Sequence, residues 1–193
     1  FPPLLNKNFE FPDLLGAAYE FVLKYFADSA GKKGGEFYTP NTVVRMLVKL
    51  LQVDEGMSIY DPIVGSGGML IQSYQYIEDE GKNPKNLALY GQDNKAGVVA
   101  ICKMNMIFHD IFGSHIKYGD TLVNPQHTKN GKIMKFDRVI ANPPFSQKYS
   151  TEEMKYKDRF IYGFTPEDAK QADLMFVQHM LASCDEKKGG RVV

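Results

Sequence analysis

The run Met57-Ser58-Ile59-Tyr60 passes without a break into Asp61-Pro62-Ile63-Val64-Gly65-Ser66-Gly67-Gly68, and residues 69–80 then return to a helical pattern. A strand, a glycine-rich turn and a helix in succession make the ligand-binding corner of an open parallel sheet. The glycines permit positive φ and let a backbone approach a ligand closely. Further strand-like runs follow at residues 87–90, 116–118 and 136–140, and the residues up to Val193 turn into a fifth. Helical patterns separate most of them. The chain is therefore expected to form an α/β domain with a doubly wound, mostly parallel sheet.

Two helices precede the corner. After Asp13, a plausible N-cap, the apolar residues Leu14, Ala18, Phe21, Val22, Tyr25 and Phe26 recur at helical spacing. Ser29-Ala30-Gly31-Lys32-Lys33-Gly34-Gly35 breaks that pattern as a basic, glycine-rich loop, either a plain connection or a pair of lysines for a phosphate. Residues 1–35 are accordingly read as a helical lead-in and residues 36–193 as the main domain. Thr39 is expected to cap the second helix with Pro40 at its first position, and Val43, Val44, Leu47, Leu50 and Leu51 are expected to form its buried stripe. After the second strand, Val98, Val99, Ile101, Cys102, Met104, Asn105, Ile107 and Phe108 read as core packing, with His109 as a C-terminal cation. Residues 124–135 read as a polar loop. Leu174, Val177, Met180 and Leu181 mark one face of a last helix over residues 169–184.

Composition closes off several functions. At 193 residues, 44% hydrophobic and 24% charged, the chain has the make-up of one globular domain of ordinary size. No apolar run approaches the roughly 18 residues of a membrane span, and nothing at the start resembles a secretory leader. Cys102 and Cys184 have no metal-ligand spacing and read as small buried residues, which makes a cytoplasmic location the default. Lys and Arg together number 23, as do Asp and Glu. Such a chain lacks the excess positive charge needed to hold a nucleic acid alone, so a nucleic-acid substrate implies a partner that shares the grip.

The glycine corner excludes two ligands and favours a third. A phosphate-binding P-loop needs Lys and Ser or Thr after its last glycine, where this chain has Met69. A dinucleotide fingerprint starting at Gly65 needs glycine at position 70, which is Leu70. Asp61, at the mouth of the corner, repels a pyrophosphate and attracts an ammonium group. The helix start at Thr39-Pro40 offers free N–H groups to a small carboxylate. Asp93, at the end of the second strand, stands where a ribose diol is held in nucleotide-binding sheets. Asp120, at the end of the third, either accepts a proton from an adenine amine or caps the next turn. A ligand with an ammonium, a carboxylate and a nucleoside fits this set, and S-adenosylmethionine is such a ligand.

The fourth strand delivers Asn142-Pro143-Pro144-Phe145. Two prolines end both ladder and helix and leave a rigid turn, with an amide on one side and an aromatic on the other. These residues suit a planar ring bearing an exocyclic amine. The stretch 146–166 carries Lys148, Tyr149, Lys155, Arg159, Tyr162 and Phe164, and is either a nucleic-acid contact or an ordinary loop.

Gly35-Glu36-Phe37-Tyr38-Thr39-Pro40, the Asp61 to Gly68 turn, Gly119-Asp120-Thr121 and Asn142-Pro143-Pro144-Phe145, in this order, resemble the adenine-N6 DNA methyltransferase subunit of type I restriction-modification systems. Arg159-Phe160-x-Tyr162-Gly163 and the Ala172-Asp173-Leu174 helix extend the likeness over nearly the whole chain. The resemblance implies the class I S-adenosylmethionine-dependent methyltransferase fold, cut after the fifth strand. It assigns cofactor binding to Glu36, Phe37, Tyr38, Thr39, Asp61, Gly65, Ser66, Gly67, Gly68, Asp93 and Asp120, and catalysis to Asn142, Pro143, Pro144 and Phe145, with no metal. Ile63-Val64 departs from relatives that have a small residue and then Cys there. Members of the family also have a helical domain before this region and further strands after it, so the chain is expected to be a piece of such a protein. The implied partners are double-stranded DNA, a separate specificity subunit that reads the sequence, and, as an optional further member of a multi-subunit complex, a restriction subunit. Methyltransferases of protein glutamine or of guanine N2 in RNA share the Asn-Pro-Pro-aromatic pattern, and a non-catalytic scaffold is the alternative of a different class.

Overall fold

The computed structural model describes residues 14–29, 39–145, 147–167 and 172–193. The helix α1 (Leu14–Ser29) is followed by α2 (Asn41–Leu51), β1 (Ser58–Asp61), α3 (Gly68–Asp79), β2 (Ala88–Asp93), α4 (Ala96–Phe108) and β3 (His115–Tyr118). A short hairpin, β4 (Thr128–Lys129) and β5 (Lys132–Ile133), leads to β6 (Arg138–Val139), α5 (Asp173–Ser183) and β7 (Arg191–Val192). The main sheet has the order β3-β2-β1-β6-β7 with every neighbouring pair parallel. The chain thus builds outward from β1 to β3 and then returns to β1's other side with β6. The expected doubly wound parallel α/β sheet is what forms, and β1 and β6 flank its topological switch point.

Alternating side chains of β1 feed two cores. Ile59 joins Val48, Leu70, Leu89 and Cys102 on the face covered by α2, α3 and α4. Tyr60 joins Phe136, Val139 and Met180 on the face covered by α5. A third cluster, Leu122, Met154, Phe160, Met175 and Phe176, holds the 147–167 stretch onto the β3 exit and α5. No helix among the described residues is long and apolar enough to cross a membrane.

Several local expectations are corrected. Residues 124–135 are not all loop: Asn130 and Gly131, at φ 52° and 72°, make the tight turn of the β4–β5 hairpin, as an Asn-Gly pair between strands does. The helix faces also differ. In α1, Leu14, Phe21, Val22 and Tyr25 point outward and Leu23 is buried, because α1 lies on α4, where the Tyr19 ring stands 4.9 Å from that of Phe108. In α2 the buried stripe is Val44, Val48 and Leu51, with Val43 and Leu50 exposed. In α4, Met104 and Ile107 are exposed. In α5, Leu174, Val177 and Leu181 are exposed, and Met175, Phe176, His179 and Met180 face inward. Pro40, not Thr39, is the N-cap of α2, with no side-chain cap bond, because Pro40 stays extended at ψ 136° and the helix starts one residue later than expected. Asp13, Phe26's side chain and the glycine-lysine loop from Ala30 onward lie outside what is described.

Candidate active site

β1 ends in Asp61, which is 2% exposed, and its Oδ1 accepts a hydrogen bond from Ile63 N at 2.9 Å. That bond turns the chain sharply at the carboxyl end of the sheet. The turn is then stitched to β2 by Val64 N donating to Gln92 O at 2.9 Å, and closed on itself by Gly67 N donating to Val64 O at 2.8 Å. Gly67 caps α3 at φ +87°, where an L side chain is strained, and a Cβ there would meet Cys102 Sγ at 2.9 Å and Met106 Cε at 3.0 Å. Glycine is required because α4 packs directly against the turn. Asn105 of α4 pins it from below, donating Nδ2 to Ser66 O at 3.0 Å.

β2 ends in Asp93, also buried, whose Oδ2 accepts from Gly65 N at 3.3 Å and whose Oδ1 accepts from Lys95 N at 2.9 Å. Each carboxylate oxygen has a second lone pair to offer. Burial raises both acids, and Asp61 reaches about 7, because desolvation disfavours its charged form and the neighbouring Asp93 charge adds to the effect. Buried carboxylates in this condition favour a positively charged group beside them.

Asp120 realises the turn-capping alternative: its Oδ1 accepts from Leu122 N at 2.8 Å and Val123 N at 3.0 Å, while Oδ2 faces Asn94 Nδ2 at 3.4 Å. The next residue, Thr121, donates its hydroxyl to Pro62 O, so the β3 exit supports the Asp61 turn from below. Arg159 secures this support. It is buried, and its guanidinium donates to the carbonyls of Thr121, Leu122, Lys155 and Tyr156. In a stretch whose sequence left open a nucleic-acid contact or an ordinary loop, it ties residues 147–167 to the β3 exit.

The β6 exit brings Asn142 to the opposite lip. Its Nδ2 donates to Thr39 Oγ1 at 3.3 Å, which leaves Oδ1 as its acceptor. Pro143 and Pro144 are half-buried and Phe145 is 77% exposed. A shallow crevice opens between the β1 turn and this lip and is lined by Thr39, Asn41, Asp61, Gly65, Ser66, Gly68 and Asn142, with Asp93 and Asp120 outside its lining. Glu20 and Leu23 of α1 complete its wall. No motif announced them, because their approach depends on how α1 packs. Glu36, Phe37 and Tyr38 lie outside the described residues.

A family model described as N-6 DNA methylase matches residues 10–193. The chain is 37% identical, over 94% of its length, to a type I restriction enzyme methylase subunit of Methanocaldococcus jannaschii, and 33% identical, over 88%, to one of Haemophilus influenzae. It spans about a third of the length of these curated relatives, 32% and 37%. Among solved structures it resembles the methyltransferase subunit of a type I restriction-modification system from Streptococcus thermophilus, at 28% identity and a TM-score of 0.77, over 92% of this chain and 37% of that one. A class I S-adenosylmethionine-dependent methyltransferase structure from Listeria monocytogenes shares the fold, with a TM-score of 0.69 at 16% identity over 94% of this chain and 51% of that one.

Proposed function

We infer, since this chain belongs to the N-6 DNA methylase family, that it provides the cofactor crevice and the target-amine pocket of an adenine-N6 DNA methyltransferase. The observation that carries this reading is the meeting of Asn142 and Thr39 at 3.3 Å on the lip of the crevice whose floor is Asp61 and the glycine turn. A donor site and an amine-recognising amide then share one opening.

Bound in that crevice, S-adenosylmethionine would supply an electrophilic methyl group on a sulfonium. Asp61 would face its positive charge, Gly65 to Gly68 would let it lie against backbone, and Asp93 would accept from the ribose hydroxyls. The α2 start at Thr39 and Asn41 would receive the carboxylate, and the family resemblance assigns Glu36, Phe37 and Tyr38 to the same cofactor. Asp120 keeps the turn nearest the adenine end in shape.

An adenine N6 is a weak nucleophile because its lone pair is delocalised into the ring. Two acceptors aimed at its two N–H bonds favour the pyramidal geometry in which that lone pair can attack. Asn142 Oδ1 and the Pro143 carbonyl are suited to that work, and Thr39 keeps the Asn142 amide turned with its oxygen available. The prolines add no competing donor. Phe145, exposed, would stack on the ring of a base turned out of the duplex. Methyl transfer then needs alignment more than a strong base. Cys102, buried with its thiol pushed up by desolvation, is not available as a covalent nucleophile.

A DNA duplex as substrate, a separate specificity subunit as the reader of sequence, and a multi-subunit assembly with an optional restriction subunit complete the reading. The balanced charge of the chain supports a shared grip on DNA. The test is transfer of labelled methyl from S-adenosylmethionine to duplex DNA by the full chain with its specificity partner. Label recovered as N6-methyladenine is expected. Label on cytosine, RNA guanine or a protein glutamine would contradict the reading.

A further inference from the structure

The lead-in helix contributes a charged group to the crevice. Glu20 of α1 lines it together with Asp61, and its Oε2 accepts from Asn41 Nδ2 at 3.4 Å, at the first residue of α2. From behind, His109 at the end of α4 lies with Nε2 at 3.7 Å from Glu20 Oε1. The other ring nitrogen, Nδ1, faces Gln75 Nε2 at 3.4 Å. His109 thus stands between Gln75 and Glu20. The Glu20 side chain is 22% exposed, on the crevice side of this relay. Its contacts are long for a carboxylate, and it retains acceptor capacity.

We propose that Glu20 holds the ammonium of the cofactor's methionyl end, and so selects adenosyl compounds that carry an amino-acid tail. This rests on the methyl-transfer reading above. The ammonium and carboxylate of an α-amino acid are borne on one carbon, so the group that receives one must stand within a few ångströms of the group that receives the other. The α2 start, whose first N–H groups have no intrahelical acceptor, would be the carboxylate site, and among the described residues Glu20 is the acidic side chain that bonds to it. Asp61 lies at the strand end, beside the glycine turn, where the thioether end of the tail meets the nucleoside. His109 is a positioning residue that steadies Glu20.

The experiment titrates the full chain with three compounds: S-adenosylmethionine, S-adenosylhomocysteine, which keeps the ammonium and lacks the sulfonium, and 5′-methylthioadenosine, which lacks both. In Glu20→Gln the amide oxygen can still accept from Asn41, so α1 keeps its seat while the charge is lost. The expected result is that Kd rises about tenfold for the first two compounds, the loss of one charge-assisted hydrogen bond, and stays within about twofold for the third. Glu20→Asp, which keeps the charge, is expected to retain most of the preference for the amino-acid tail. Equal weakening of all three compounds would make Glu20 a helix-docking residue, and no weakening would remove it from the site; either overturns the proposal. So would weakening of S-adenosylmethionine alone, which assigns Glu20 to the sulfonium. If the unaltered chain binds none of the three, the methyl-transfer reading itself falls, and the proposal with it.

Discussion

Asp61 and Asp93 end adjacent parallel strands, both are buried, and the charge of Asp93 adds to the burial that lifts Asp61 to about 7. A cation bound beside Asp61 favours its ionised form, so binding releases the proton that Asp61 holds below pH 7. S-adenosylmethionine is therefore expected to bind about tenfold more tightly at pH 8 than at pH 6. Titration calorimetry across that range measures it. Asp61→Asn should bind weakly with a flat profile; a flat profile in the unaltered chain would contradict the account.

The glycine turn makes a steric prediction. Ala at position 67 must hold φ near +87° and push its methyl group within 2.9 Å of Cys102 Sγ and 3.0 Å of Met106 Cε. The backbone strain alone is on the order of 1–3 kcal/mol. Gly67→Ala should lower the melting temperature and abolish adenosyl binding. Adding Cys102→Ala should recover part of the stability, since it relieves the contact and leaves the φ strain.

Arg159 holds four carbonyls of two segments, and hydrogen bonds to a charged group are worth about 1.5–3 kcal/mol each before relaxation. Arg159→Met is expected to lower stability by several kcal/mol in urea titrations and to open the 147–167 stretch to limited proteolysis. Unchanged cleavage there would contradict its role as a tie.

Two buried histidines set an acid limit. Burial lowers His127 to about 4, although its Nε2 donates to Gly91 O at 2.9 Å, and lowers His179 to about 3. Their folded values lie below the unfolded value near 6.5, so the unfolded chain takes up their protons first as pH falls. Each then costs up to about 1.4 kcal/mol per pH unit, from about pH 6.5 down toward its folded value. Asp61 acts in the opposite sense: its value is raised, so its contribution is fully present below about 3.8 and is lost as pH rises through 7. Comparison with His179→Gln cancels the acids. That variant should lose less stability than the unaltered chain between pH 6.5 and pH 4, as read by denaturant melts at each pH.

Sheet and crevice differ in how plainly the sequence announces them. The Asp61 to Gly68 turn is legible because its function demands glycine and an acid at fixed places, and no tertiary contact has to be known to see this. The parallel α/β character follows from the alternation of strand and helix patterns, whereas the order β3-β2-β1-β6-β7 is set by packing. Helix faces are less legible. Phe21 is 71% exposed although it sits in the apolar pattern of α1, because every face of that helix carries apolar residues and the one that packs is chosen by α4. The β4–β5 hairpin turns on Asn130-Gly131, yet residues 124–135 read as a loop because its strands are two residues each and show no alternation. Glu20 carries no motif: its approach to Asn41 spans 21 residues and is set by how α1 docks. Thr39 was expected to cap α2 and instead meets Asn142, a contact between residues 103 positions apart.

The central claim is that Asn142 chooses the atom to be methylated, and it is tested most directly by comparing Asn142→Ala with the unaltered chain in complex with its specificity partner. Cofactor affinity should stay within about threefold, while the rate of N6-adenine methylation falls by about 10²–10³, the usual effect of removing one aligned electrostatic partner from a transition state. Full methylation by Asn142→Ala would contradict the account.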